Sequence, residues 1–403
     1  MGDVGWKGVR TRLVKPAIAA ISTVAAIAIS SAAPVSAQPT VGAAESTVGT
    51  ADAVGEPTPA EIAQAQRLTD DINAKAAPGS PRAVNALRRE VATRPLGPIV
   101  DTQGVGPAQR GFWPAFAYSQ FHPNVAPPGA NNWNCKPRAG QRPIVLAHGT
   151  WENAYDNWAA FAPVLEKAGY CVFAPNYGRT DLLNGGGLGV ILPGTNGEAA
   201  IEYSAAQFGG YVDRVLKATG AKKVDVIGHS QGGLMVRQWM KFGGGADYDH
   251  PERSKIGKLI TYGATHKGTT LLGIGALGRG INNLGPAFNV LGVTEILVGR
   301  SGIQQTVDSP FIKNLNRSKL VFPGVDYTIV GSRYDEVTTP FDLTFIRRPG
   351  VNNVVLQDGC EQDTSDHLSM SYSPRAMSIA LHALDPERFA RLACGPSPWF
   401  FSF

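Results

Sequence analysis

Short apolar segments alternate with longer amphipathic ones from residue 142 onward. Six of the apolar segments have the length and the β-branched or aromatic content typical of strands: 142–149, 170–178, 224–228, 258–265, 326–332 and 352–359. Four segments repeat apolar residues at helical spacing: 157–169, 205–220, 233–242 and 373–384. Strands that alternate with helices pair in parallel, with helices on both faces of the sheet. The pattern therefore predicts an α/β domain whose functional residues follow the carboxyl ends of its strands.

The first 110 residues differ in amino-acid composition from this domain. A basic start, an apolar run and small residues ending at Ala37 predict a secretory signal peptide over 1–37. The alternative is a membrane anchor, but the run is short, rich in alanine and serine, and interrupted near its end by Pro34. Residues 38–110 have few large apolar side chains, too few for a core of their own, so we expect a pro-region, a wall-spanning linker or an N-terminal wrap. We place the main domain at 111–403.

Removal of the signal changes the charge of the protein. The whole chain has a formal net charge of +5, and residues 1–37 contribute +3 from four basic residues and one acidic residue, which leaves +2. No basic cluster with interleaved aromatic residues follows. This composition argues against a nucleic-acid partner. We expect a secreted protein, extracellular or associated with the cell envelope.

Four cysteines follow the signal: Cys135, Cys171, Cys360 and Cys394. An even number in an exported chain predicts two disulfides, which could connect in three ways. We favour Cys135–Cys171 and Cys360–Cys394, each of which closes a loop of about 35 residues, worth roughly 3–4 kcal/mol in the chain-entropy description. Metal binding is the alternative, but the spacings contain no C-x-x-C pair.

The segment KVDVIGHSQGGLMVRQWMKF joins a predicted strand to a predicted helix through a serine between glycines. Gly228-His229-Ser230-Gln231-Gly232 fits the G-x-S-x-G nucleophile elbow in its strand–turn–helix context. An ordinary glycine-rich connection is the alternative. The pattern favours Ser230 as a nucleophile.

A serine nucleophile needs a base and an orienting acid, in the order Ser, acid, His for this arrangement. His367 follows the last predicted strand and is the best base, ahead of the other downstream histidines, His250, His266 and His382. Asp335 follows the strand at 326–332 and is the best acid, ahead of Glu336, Asp326, Asp363 and Asp366. A turn aspartate that bonds backbone donors is the alternative interpretation of Asp335.

The oxyanion of an acyl-transfer intermediate needs backbone donors. We expect one from the N–H of Gln231, directly after the nucleophile, and the other from Thr150 in the loop LAHGTWENA. The Thr150 hydroxyl is a candidate third donor. The alternative is that Gly149 only forms a turn.

Together the segments IVLAHGTWENAYDNW, NYG, KVDVIGHSQGG, THKGTT, GSRYDEVTTP and DHLSM resemble the secreted bacterial lipases and esterases of the class 2 lipase family, especially the actinobacterial kind. The resemblance covers residues 112–395. It implies an α/β-hydrolase fold with a mostly parallel central sheet and hydrolysis of carboxylic esters, including triacylglycerols. It also implies that Ser230, Asp335 and His367 are catalytic and that Thr150 and Gln231 hold the oxyanion. THKGTT departs from the more usual Asn-His-Gly form. This departure leaves open which substrates the protein accepts, but it does not affect the expected chemistry.

Three other functions use similar features: an acyltransferase with the same triad, a non-catalytic secreted binding protein on the same fold, and a secreted peptidase. All the triad residue types are present, and nothing specifies a peptide site. The glycine-rich apolar stretch 271–299 is a candidate cap or lid. The chemistry needs no cofactor, and no metal-ligand spacing occurs, although a structural calcium stays open. We expect a monomer that binds an ester or lipid substrate and contacts a lipid interface transiently.

Overall fold

The computed structural model describes residues 99, 101–180, 189, 192–270 and 294–397. Six parallel strands form one sheet in the order β2-β1-β3-β4-β5-β6. The strands are β1 Ile144–Ala147, β2 Val172–Phe173, β3 Val224–His229, β4 Ile256–Tyr262, β5 Asp326–Gly331 and β6 Val351–Val355. Gly228 of β3 lies opposite Ala147 of β1 on one side and Thr261 of β4 on the other. The carboxyl ends of these three central strands therefore lie side by side.

Eight α-helices surround the sheet within the described ranges: α1 Phe112–Phe121, α2 Ala154–Trp158, α3 Phe161–Lys167, α4 Ile201–Thr219, α5 Gln231–Phe242, α6 Thr294–Gln304, α7 Pro310–Asn316 and α8 Pro374–Leu384. Within the same ranges, three 3-10 turns lie at Pro251–Arg253, Phe341–Thr344 and Ser369–Tyr372. No helix in these ranges is both long and apolar enough to cross a membrane.

The core is divided by the sheet into two layers. Val145 and Ala147 of β1 face the layer that contains residues of α4, α5 and α7, whereas Ile144 and Leu146 face the layer that contains residues of α3 and α8. This alternation follows from the two-residue period of a strand. Because both faces are buried, β1 is a continuous apolar run.

All six predicted strands and all four predicted helices are present, which confirms the α/β architecture with a parallel sheet. The strand predicted at 170–178 is much shorter, at Val172–Phe173. Its ladder ends because the Ala174 N–H donates to the Asn131 side chain (2.7 Å) and the next residue, Pro175, has no N–H.

Both predicted disulfides are confirmed: Cys135–Cys171 and Cys360–Cys394. The first links the loop before β1 to the residue that precedes β2. The second closes the segment after β6, which contains His367 and α8. Both bonds therefore constrain long connections next to the sheet.

Residues 101–110, which composition assigned to the N-terminal extension, contact the domain. Asp101 pairs with Arg214 (2.8 Å), and the side chain of Gln109 donates to the Tyr155 hydroxyl (2.9 Å). The predicted signal peptide and residues 38–98 lie outside the described residues. The same is true of residues 271–293 of the predicted cap, whose last part begins helix α6 at Thr294.

Candidate active site

Ser230 lies between the end of β3 and the start of α5. Its backbone has φ 53° and ψ −128°, a conformation that residues with side chains rarely adopt, and its N–H donates to the carbonyl of Tyr262 in β4 (2.8 Å). A Cβ on Gly232 would lie 2.2 Å from the Ala147 carbonyl oxygen, and one on Gly228 would lie 2.8 Å from the Gly233 nitrogen. The helix therefore approaches β1 and β3 so closely that these positions need glycine. This is the strained turn that the elbow pattern predicts.

His367 and Asp335 lie together next to this turn. His367 Nδ1 lies 2.9 Å and 3.0 Å from the two carboxylate oxygens of Asp335, and both side chains are buried. Asp335 Oδ1 also accepts the backbone N–H groups of Val337 (2.9 Å) and Thr338 (2.7 Å). A carboxylate held in this way keeps the Nδ1 proton on the imidazole and leaves Nε2 as the basic nitrogen. His367 Nε2 is buried and has no hydrogen-bond partner within the described part of the chain.

The position of Gly263 shows that Ser230 lies close to the His367–Asp335 pair. A Cβ on Gly263 would lie 2.9 Å from Asp335 Oδ2 and 3.1 Å from His367 Nδ1. The residue before it, Tyr262, accepts the Ser230 N–H. The carboxyl end of β4 therefore has the serine on one side and the His–Asp pair on the other.

The other carboxyl groups considered from the sequence lie in different surroundings. Asp326 is exposed and pairs with a lysine, whereas Asp363 and Asp366 accept hydrogen bonds from serine hydroxyls. Glu336 accepts the backbone N–H of His367 (3.3 Å), and burial and two neighbouring carboxylates raise its pKa to about 8. Of these acids, only Asp335 bonds the His367 ring within the described residues.

The two predicted oxyanion residues lie against each other. The Thr150 hydroxyl oxygen accepts the side-chain amides of Gln231 (3.0 Å) and Gln305 (2.9 Å). Helix α5 begins at Gln231, so its backbone N–H is one of the first-turn donors that have no partner inside the helix. Two donated hydrogen bonds occupy the lone pairs of the Thr150 oxygen, so its own proton is left to donate elsewhere.

His148 and His266 have structural surroundings. His148 is buried, its Nδ1 lies 2.9 Å from the Gly149 carbonyl, and its Nε2 accepts the Tyr177 N–H (3.3 Å). Burial lowers the pKa of His148 to about 4. His266 is also buried, and burial with the nearby Arg237 charge lowers its pKa well below the usual value. These rings are neutral at pH 7.

Three buried polar residues near the site were missed by sequence reasoning. Glu152 accepts the Gly149 N–H (2.7 Å) and lies 2.9 Å from His229 Nδ1. Gln305 directly follows α6 and reaches Thr150. Arg237 of helix α5 is buried and donates to Asn316 (2.9 Å). The position of Arg237 inside an apolar helical segment could have indicated that its side chain is buried. Nothing in the sequence around Glu152 or Gln305 indicates burial.

An apolar cluster adjoins the same strand ends. The cluster includes Trp151, Val337 and Leu368, and the partly buried Leu192 and Ile303 pack against it. Trp151 directly follows Thr150, and Leu368 directly follows His367. The site therefore has polar groups at the strand ends and apolar side chains beside them.

Comparisons with known proteins agree with this architecture. Residues 142–264 match a family described as alpha/beta hydrolase fold. Triacylglycerol lipases from Pseudarthrobacter phenanthrenivorans and Burkholderia plantarii are each 35% identical to the chain over 104 residues, which is 25% of this chain and 28% and 25% of theirs. The chain thus spans about a quarter of the length of these relatives. A crystal structure of Aspergillus fumigatus lipase B aligns with a TM-score of 0.46 and 17% identity, over 74% of this chain and 65% of that one. The family match and the order of the parallel sheet show that the chain has the α/β-hydrolase fold.

Proposed function

We propose that the protein is a secreted carboxylic-ester hydrolase of the lipase/esterase kind, with Ser230 as nucleophile, His367 as base and Asp335 as the acid that orients the base. The observation that carries this proposal is the His367 ring. One nitrogen lies against a buried carboxylate, and the other is buried with no partner among the described residues, beside a strained elbow serine. A base in this state is prepared to accept the serine proton.

The reaction follows from these positions. His367 Nε2 takes the proton of Ser230 Oγ, and the oxygen attacks the ester carbonyl carbon. The N–H groups of Thr150 and Gln231 stabilise the oxyanion, and the Thr150 hydroxyl adds a third donor because its lone pairs are occupied. His367 then protonates the leaving alcohol, and a water molecule attacks the acyl-enzyme to release the acid and restore Ser230.

Acyl esters, including triacylglycerols, are the proposed substrates. Leu192 and Ile303, partly exposed apolar side chains that pack against the cluster containing Trp151 and Leu368, are the proposed contacts for an acyl chain. The likeness to the two triacylglycerol lipases, over a quarter of their length, supports the same class. The two disulfides support an oxidising, extracellular location. The actinobacterial class 2 assignment and the monomeric state belong to this proposal.

The test is hydrolysis of p-nitrophenyl esters from acetate to palmitate, with an emulsified long-chain triglyceride alongside. We expect Ser230→Ala to lower kcat by about 10⁴-fold or more. Ser254→Ala, which removes another buried serine hydroxyl before β4, is the matched control and keeps wild-type kcat. Preference for long chains and for the emulsion identifies a lipase, and activity on short esters alone identifies an esterase. Equal activity of Ser230→Ala and the parent chain would overturn the proposal.

A further inference from the structure

A buried acid–histidine pair lies beneath the proposed catalytic residues. Glu152 is in the loop after β1, and His229 is the last residue of β3, directly before Ser230. The Glu152 and His229 side chains are 2% and 0% exposed, and Glu152 Oε2 lies 2.9 Å from His229 Nδ1. Neither residue has a part in the chemistry described above. A pair that is buried so completely in this position requires an explanation.

The groups around the His229 ring indicate that both of its nitrogens carry protons. Nδ1 faces the Glu152 carboxylate, and Nε2 lies 2.7 Å from the backbone carbonyl oxygen of His367, so both neighbours accept hydrogen bonds. The side-chain amide of Asn157 lies 3.0 Å from Nδ1, and its oxygen has no partner among the described residues. Turning this amide over presents an acceptor oxygen to the Nδ1–H instead of a second donor. His229 is then an imidazolium.

The surrounding charges favour the same state. Burial acts to lower the pKa of His229, but the Glu152 carboxylate, the His367 carbonyl and Asp335 outweigh it, so the pKa is raised. Burial acts to raise the pKa of Glu152, yet the cation of His229 outweighs it, and the pKa is lowered. His367 also lowers the pKa of Glu152, and the buried Asp156, Tyr177 and Tyr372 interact with the same carboxylate. The adjacent His148 is neutral at pH 7.

The pair touches three separate parts of the proposed site. His229 donates to the His367 backbone, and its own chain continues into Ser230. Glu152 accepts the N–H of Gly149, the residue before Thr150. The base, the elbow and the oxyanion loop come from different elements of the chain, and these contacts join them through one ion pair.

We propose that Glu152 and His229 form a positioning pair, in which His229 as an imidazolium fixes the backbone of His367 while Glu152 fixes the loop that carries Thr150. The inference rests on the proposed function, since it assigns the pair to the geometry of that reaction. Neither residue touches the reacting atoms. Their effect is on the alignment of the base and the oxyanion donors, where a displacement of about 1 Å lowers the rate by roughly 100-fold.

The first test measures the protonation of His229 directly. In the full-length protein with ¹⁵N-labelled histidine, we expect one buried ring with both nitrogens protonated at pH 7.5, and we expect its signal to be lost in His229→Gln. His148 and His266 give neutral rings at this pH, because burial lowers their pKa values. A neutral His229 ring at pH 7.5 would overturn the proposal, whatever the enzyme activity.

The second test separates positioning from folding. Glu152→Gln is expected to lower kcat on a short soluble ester by 10- to 100-fold with KM nearly unchanged. Changing both residues, in Glu152→Gln with His229→Gln, restores part of kcat because two neutral amides can bond each other and the His367 carbonyl. Asp156→Asn is the matched control: it alters a fully buried carboxylate of α2 that bonds Asn153 and Ser119, and it lowers Tm but keeps kcat.

These outcomes are distinguishable from failure of the proposed function. If Ser230→Ala retains activity, the hydrolase proposal fails. If Ser230→Ala is inactive while a folded Glu152→Gln has wild-type kcat, only the positioning proposal fails. An equal loss of kcat in Asp156→Asn and Glu152→Gln would also overturn it, since the loss would then follow from general destabilisation.

Discussion

Gly263 offers a test of the His–Asp arrangement that leaves every proposed catalytic residue in place. It has φ 53°, and a Cβ there would lie 2.9 Å from Asp335 Oδ2, 3.1 Å from His367 Nδ1 and 3.2 Å from Met370 Cε. In Gly263→Ala the new methyl group therefore presses on the carboxylate and on the ring. Rotation of the Asp335 carboxylate is the easiest relief, and that rotation disturbs the hydrogen bond to His367.

The size of the effect can be estimated from these distances. Ordinary contact begins at 3.4 Å, so the carboxylate and the ring must each retreat by a few tenths of an ångström. If a displacement of about 1 Å costs roughly 100-fold in rate, half of that costs about 10-fold. Alanine in the left-handed region costs about 1 kcal/mol, and overpacking adds about 1–3 kcal/mol. We expect a Tm lower by roughly 5–10 °C.

Gly220→Ala is the control for the cost of placing alanine in the left-handed backbone conformation, without any steric contact. Gly220 ends α4 with φ 77°, and a Cβ there meets no atom within 4 Å. Its substitution should lower the stability by about 1 kcal/mol and leave kcat unchanged. Ester hydrolysis at saturating substrate and thermal unfolding are measured on both variants. If Gly263→Ala kept kcat within twofold, or if Gly220→Ala lost as much kcat, the inferred arrangement would be refuted.

Three further predictions follow from the same contacts. Replacing Cys360 and Cys394 by serine opens a loop of 34 residues that contains His367, and urea unfolding should show a loss of about 4 kcal/mol; an unchanged midpoint would contradict this. In the folded protein His148 stays neutral down to a pH of about 4, whereas in the unfolded chain it becomes protonated below pH 6.5. The free energy of unfolding therefore falls by roughly 3 kcal/mol as the pH is lowered from 6.5 to 4. His148→Gln should flatten that part of the profile, and an equal slope would count against the argument. Thr150→Val should lower kcat by about 100-fold whereas Thr150→Ser keeps it, as steady-state kinetics will show; equal rates would remove the hydroxyl from the oxyanion site.

The sequence was sufficient to predict the α/β architecture because strands β1 to β4 are buried on both faces. Such strands are continuous apolar runs, and glycine or polar residues mark their ends. The strand at 170–178 was overestimated since its apolar composition continues beyond the last ladder bond, where Asn131 takes over the Ala174 N–H. That side chain comes from 43 residues earlier, so no local pattern reveals it.

The residues of the candidate site could be predicted where their order along the chain, each after a strand, indicates their chemical roles. Ser230, Asp335 and His367 each follow a strand, and parallel strands bring such positions to one edge of the sheet. Glu152 and Gln305 were not predictable, because each owes its position to contacts across the fold. Glu152 also lies among polar residues of a loop, where a carboxylate is usually solvated. Only the structure reveals that it is buried against His229.

The measurement that tests the central claim most directly is active-site labelling with a fluorophosphonate, followed by mass spectrometry of the digested protein. We expect one mole of label per mole of protein, attached to Ser230, with hydrolysis of p-nitrophenyl butyrate lost in proportion to labelling. His367→Ala should label far more slowly, because the serine then lacks its base. Label on another residue, or full hydrolytic activity after complete labelling of Ser230, would contradict the account.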